Sequence, residues 1–90
     1  MPRGVLAIIH VFVESSKLEE VARKINDLPE TLDLYEVTGE FDIIAIVRSE
    51  DVTSFRNLIK DKIMKIDGVK STVTSMVLYT YKRNGRPVEE

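Results

Sequence analysis

The chain has 90 residues, 43% of them hydrophobic, with 13 Lys and Arg against 15 Asp and Glu, a formal charge of −2 and no cysteine. Disulfides, thiolate metal sites and a cysteine nucleophile are therefore excluded, and the charge offers no general attraction to a phosphate backbone. A single domain of this size buries only about 60–65% of the surface its unfolded chain exposes, so self-association is an expected source of stability.

Residues 5–13, VLAIIHVFV, are rich in β-branched side chains and read as a first strand. The run is too short to span a bilayer and has no small-residue cleavage site after it, so no membrane association is expected. A small secreted domain would more often carry disulfides, which points to the cytoplasm. Ser16-Lys17-Leu18-Glu19 has the form of a capping box, placing the start of helix 1 there. Leu18, Val21, Ala22, Ile25 and Leu28 fall on one face of that helix, and Pro29 ends it.

Residues 31–37 and 41–48 read as strands 2 and 3, joined through Thr38-Gly39-Glu40, a connection short enough for a hairpin. Asp51 is placed to cap helix 2, whose apolar face is Val52, Phe55, Leu58, Ile59, Ile63 and Ile66. Strand 4 is expected over 69–81, with Val69, Val73 and Val77 on one face and Lys70, Thr72 and Thr74 on the other. Residues 1–81 are thus one domain, and 82–90, KRNGRPVEE, are a polar tail.

The order β-α-β-β-α-β, with the second half echoing the first at an offset of 37 positions, predicts an α+β ferredoxin-like sandwich. Its four-stranded antiparallel sheet would carry both helices on one face, with strands 1 and 3 in the centre. A sheet covered on one side should alternate apolar and polar residues. Here both parities are apolar. Strand 1 sets Val5, Ala7, Ile9, Val11 and Val13 against Leu6, Ile8 and Phe12, interrupted only by His10, and strand 3 repeats the pattern with Phe41, Ile43, Ala45 and Val47 against Ile44 and Ile46. A bare face of this kind would expose several hundred square ångströms of apolar surface, on the order of what marks an interaction site. A second copy, packed sheet to sheet with twofold symmetry, is the economical cover.

The run Tyr35-Glu36-Val37-Thr38-Gly39-Glu40-Phe41-Asp42, followed by GVKSTVTSMVL at 68–78, resembles the effector-binding and assembly (RAM) domain of the Lrp/AsnC, or feast/famine, transcriptional regulators. The likeness runs over residues 5–80. The regulators of that family carry an N-terminal helix-turn-helix, whereas only residues 1–4 precede strand 1 here, so the chain is expected to be a stand-alone RAM module. The resemblance implies a non-enzymatic, cofactor-free module that forms dimers and octameric rings, binds a free amino acid or related metabolite, and co-assembles with full-length Lrp/AsnC regulators. Direct binding to nucleic acid is not expected. Carried over by position, Gly39, Glu40, Phe41 and Asp42 would form the turn side of the ligand site, and Thr72, Thr74 and Ser75 the strand side. Turn amides could then hold a carboxylate while Asp42 accepts from an ammonium group.

Each of these residues also has a structural role open to it. Gly39 suits any hairpin that needs a positive φ, Asp42 could cap a backbone amide, and Thr72 and Thr74 are good strand residues. His10 is the single histidine, so a metal site would require carboxylates converging from elsewhere. A packed interfacial imidazole is expected, and the alternative is a dimeric α+β barrel enzyme with His10 as base. No serine has a base of its own, and the four glycines are scattered singly, so neither a nucleophile site nor a phosphate loop is indicated.

Overall fold

The computed structural model describes residues 4–39 and 42–88. β1 (Val5–Val13), α1 (Leu18–Asn26), β2 (Thr31–Val37), β3 (Asp42–Ser49), α2 (Val52–Asn57) and β4 (Val69–Met76) follow in the expected order. The strands form one antiparallel sheet in the order β2-β3-β1-β4, so β1 and β3 are central. Two split βαβ units interlock in this way in the ferredoxin-like fold.

Because side chains alternate across a strand, each central strand divides its apolar residues between two faces. Ala7, Ile9, Val11 and Val13 of β1 and Ile43, Ala45 and Val47 of β3 turn towards the helices and are buried. Val21 and Ile25 of α1 close over them, with Phe55 of α2 and with Leu58 and Ile63 just beyond it. The other parity, Leu6, Ile8, His10 and Phe12 with Ile44, Ile46 and Arg48, is only partly covered or exposed. The sheet therefore has one closed face and one open one.

Five local features differ from the sequence expectation. The capping box does not form. Ser15–Lys17 make a 3-10 turn, Ser16 Oγ donates to Glu14 Oε2 at 3.4 Å, and α1 begins at Leu18. Tertiary ties displace the local cap: Glu14 N–H donates to Gly68 O at 2.8 Å and Lys17 Nζ to Asp67 Oδ2 at 2.9 Å. Asp51 does cap α2, its Oδ1 accepting from Ser54 N–H at 2.8 Å, and that bond holds the carboxyl below its usual range. The helix then widens into a π-helical segment at Leu58–Ile63, with Met64 N–H reaching Ile59 O at 2.8 Å.

β4 ends at Met76, not 81, and a bulge breaks its parity. Val13 pairs with Val69 but Phe12 pairs with Ser71. The extra residue turns Val69 onto the helix side while Val73 stays on the open face, so the two valines expected to share a face lie on opposite ones. The segment read as a tail contains a second sheet, a hairpin of β5 (Lys82–Arg83) and β6 (Arg86–Pro87).

Replacing Ile9, fully buried on the central strand, with alanine should cost about 2–5 kcal/mol in urea unfolding. A second test concerns Glu30, whose Oε2 accepts from Lys62 Nζ at 3.0 Å. Burial pushes this carboxyl up, but the Lys62 bond, its own backbone amide and the Lys62 charge outweigh burial and leave it below its ordinary value. A carboxyl depressed in the folded state stabilises above its unfolded pKa, and that stabilisation fades as pH falls through the folded value. Glu30→Gln should therefore lose at most about 1 kcal/mol near neutral pH, and the gap to wild type should close as pH falls below the ordinary carboxylate range.

Candidate functional site

Strand pairing arranges the open face in cross-strand rows. Tyr35, Ile44, His10 and Val73 form one row, and Val37, Asp42, Phe12 and Ser71 the next. Tyr35 is 54% exposed, Val73 57% and Ile8 39%, while Leu6, Phe12, Ile44 and Ile46 are half-buried by their neighbours. Within this apolar field sits one close polar contact. His10 Nε2 lies 3.1 Å from Asp42 Oδ2, reaching diagonally across the β1–β3 ladder.

The contact is near but poorly aligned. Among the described residues neither His10 Nε2 nor Asp42 Oδ1 has a hydrogen-bond partner, although both atoms are buried. It is an electrostatic approach of an imidazole to a carboxylate, not a formed hydrogen bond. The imidazole also stacks on Phe12, with ring centroids 4.3 Å apart and planes 16° from parallel. Asp42 itself is 8% exposed, unusually covered for a carboxylate at the start of a strand.

Gly39 explains how the carboxylate is accommodated. Its φ is +136°, and a Cβ there would stand 2.5 Å from Asp42 Oδ2. The position thus needs glycine for two reasons, the backbone angle and the space the Asp42 carboxylate occupies. Glu40 and Phe41 lie outside the described residues. On the helix side, Thr38 and Gly39 border a shallow depression open to solvent, lined also by Leu18, Glu36 and Val37.

The strand-side candidates do not meet the turn-side ones within one chain. Thr72 pairs with Val11 and Thr74 with Ile9, so both lean to the helix side, where Thr72 Oγ1 lies 3.8 Å from Met64 Sδ. Ser75 pairs with Ile8 on the open face, towards the opposite end of the sheet from Asp42. The structure brings together Gly39, Asp42 and His10. The β1–β3 register sets His10 and Asp42 one diagonal apart, and because α1 and β2 intervene between those strands no local pattern in the sequence marks the approach. Among the described residues no group of three His, Cys, Asp or Glu side chains could hold a metal ion, and no helix is long and apolar enough to cross a membrane.

The family model described as the Lrp/AsnC ligand binding domain matches residues 6–87. The chain belongs to this family. Among curated proteins it is similar to the HTH-type transcriptional regulator FL11 of Pyrococcus horikoshii, 37% identical over 79 residues, covering 88% of this chain and 52% of FL11. The chain spans about half the length of the curated relatives it matches. Among solved structures it resembles the transcriptional regulator NMB0573 of Neisseria meningitidis in complex with L-Met. That likeness has a TM-score of 0.83 and 26% identity, over 93% of this chain and 56% of the other. It also resembles TTHA0845 of Thermus thermophilus, with a TM-score of 0.81 and 26% identity over 88% of this chain and 99% of that one. An Lrp/AsnC ligand-binding domain with the ferredoxin-like fold is thus established, in agreement with the resemblance drawn from the sequence. The family match also takes in the hairpin at Lys82–Arg83 and Arg86–Pro87.

Gly39→Ala should destabilise the domain by about 1–3 kcal/mol in urea unfolding, through an unfavourable φ and a collision with the Asp42 carboxylate. In an Asp42→Ala background the same change should cost measurably less, because one of its two causes is gone.

Proposed function

We propose that this domain binds a free amino acid or related small metabolite and assembles with copies of itself, acting without catalysis in the control of transcription. The observation that carries the proposal is the likeness, over nearly the whole chain, to a regulator solved with L-Met. The open sheet face supports self-assembly. The chain has 6420 Å² of accessible surface, whereas a compact monomer of its mass would have about 5,400 Å². A second copy laid on the open face would bury Tyr35, Ile8, Ile44, Ile46 and Val73 and pack the two sheets about 10 Å apart.

The ligand site follows from the way the candidates are split. Thr38 and Gly39 with the depression beside them offer one half, in which turn amides receive the carboxylate of an amino acid. Asp42 is turned to His10 on the open face, so Glu36, which lines the depression, is the better-placed acceptor for the ammonium group. Glu40 and Phe41, the other turn-side candidates, lie outside the described residues. Thr72 and Thr74, which share the helix side of β4, would complete the site from a neighbouring subunit, whereas Ser75 on the open face would meet the sheet-to-sheet partner instead. Joint assembly with full-length Lrp/AsnC regulators would use the same contacts, in the cytoplasm where those regulators meet metabolites. His10 acting as a base finds less support, since its Nε2 is already covered and directed at Asp42.

Light scattering should return a dimer or a larger ring. A thermal-shift panel of the twenty amino acids should show one or a few that raise Tm, since ligand at 100 times its Kd adds about 2.7 kcal/mol to the native state. Glu36→Gln should remove the shift and leave assembly intact. A monomer with no response across the panel would defeat the proposal.

A further inference from the structure

The chain has a single histidine, the one side-chain class that ordinarily changes charge between about pH 5 and 8. The fold sets it in the middle of the open face. Ile8 and Phe12 are its same-face neighbours on β1, and across the two ladders it is opposite Ile44 of β3 and Val73 of β4, so all four are apolar. Any layer placed on this face would shut His10 away from water.

The His10–Asp42 couple is already half closed. The Asp42 side chain is 11% exposed and that of His10 33%, so the imidazole is the part that still meets solvent. Behind the carboxylate stands the Gly39 backbone, close enough that a Cβ there would lie 2.5 Å from Oδ2. Among the described residues neither partner makes an ion pair with any other charged side chain. Asp33 and Arg48 share the open face but lie towards its other end, Arg48 opposite Leu6 and about 13 Å along the strands from the His10 row. Tyr35, the other titratable side chain of that row, is a phenol on β2, two strands away. Lys70, at the bulge of β4 beyond Ser71, is exposed, and Glu14, past the end of β1, accepts from Ser16. Both helices pack on the opposite face.

We propose that His10 takes up a proton when a second copy covers the open face, so that self-association tightens as pH falls from about 8 to about 5.5. The proposal rests on the sheet-to-sheet assembly above and adds its control. With a neutral imidazole, covering the face leaves the Asp42 carboxylate between apolar layers without a countercharge, at a cost that grows as water is excluded. A proton on His10 turns the couple into an ion pair of no net charge, whose internal attraction strengthens in the same dry setting. Linkage then gives the sign. An assembly that binds more protons than its separated chains gains as pH falls and loses as pH rises. Twofold symmetry doubles the effect, with one proton for each copy.

Sedimentation velocity on full-length chains, diluted in steps at constant ionic strength, tests this. The wild-type dimer should hold on the order of tenfold or more tighter near pH 5.5 than near pH 8, since each proton taken up per dimer is worth up to about tenfold per pH unit. His10→Gln keeps a neutral polar side chain and should lose this tightening, and it also subtracts the general effect of pH on a chain of charge −2. Asp42→Asn, which removes the anion, should lose it too. A second readout follows the proton itself. In proton NMR near neutral pH, the single imidazole resonance should move towards its protonated position as rising concentration drives the chain into dimer. Where a variant fails to assemble, that resonance still decides: an imidazole that keeps its monomer position in the wild-type dimer overturns the proposal. Equal tightening in wild type and His10→Gln, a dimer indifferent to pH, or one that loosens near pH 5.5 would each overturn the proton uptake and leave the dimer standing. A wild type monomeric at every pH would overturn the assembly and the proton uptake together.

Discussion

The two-sided apolar character of β1 and β3 is the constraint on which the rest of the structure depends. One side is satisfied within the chain, where Ala7, Ile9, Val11, Ile43, Ala45 and Val47 meet the helices and are fully or almost fully buried. Among the described residues no element covers the other side, because both crossover connections of a βαββαβ chain place their helices on the same face. In the proposed assembly the open face would gain its stabilisation from surface buried against a second copy, so that assembly and folding would draw on the same hydrophobic driving force.

That economy explains the setting of the polar pair. A carboxylate that is largely covered costs free energy unless an opposite charge or hydrogen-bond donors face it. Asp42 has His10 Nε2 at 3.1 Å, an approach short of a hydrogen bond, and the imidazole stacks on Phe12, so among the described residues the carboxylate is only incompletely compensated. Gly39 leaves room for the carboxylate by lacking a Cβ. Turn, carboxylate and imidazole therefore form one unit at the end of the open face, and the same turn borders the depression on the helix side. A ligand held by the turn amides and a partner laid on the sheet would each press on the same few residues. That is a physical basis for coupling ligand occupancy to assembly, provided the two events favour different settings of the turn.

Most of the fold could be read from the pattern of residues. β1, the apolar stripe of α1, the Asp51 cap and the central place of β1 and β3 all follow from periodicity and local chemistry, and they hold in the structure. Failures occur where distant parts of the chain compete with local preference. Ser16 could have capped α1, but ties from Glu14 and Lys17 to residues 67 and 68 shift the start of the helix. Strict alternation put Val69 and Val73 together, but the bulge opposite Val13 separates them. The hairpin at 82–87 carries too few apolar residues to announce itself, and only the Asn84-Gly85 turn marks it. The candidate ligand residues follow the same division. Gly39 and Asp42 are close in sequence and meet, whereas Thr72, Thr74 and Ser75 depend on which face and which end of the sheet β4 gives them.

By itself the sequence determined the element order, the helix-facing core and the surplus of apolar side chains on the central strands, because all three are recorded in spacings of two to four residues. Only the tertiary structure decided that His10 faces Asp42, that Val69 and Val73 part, and that a second, two-stranded sheet forms at residues 82–87. Those outcomes depend on strand register and on contacts between residues tens of positions apart, for which a one-dimensional pattern holds no signal. Register is chosen by the packing of the whole sheet, where a slip of one residue would send every buried side chain to the opposite face.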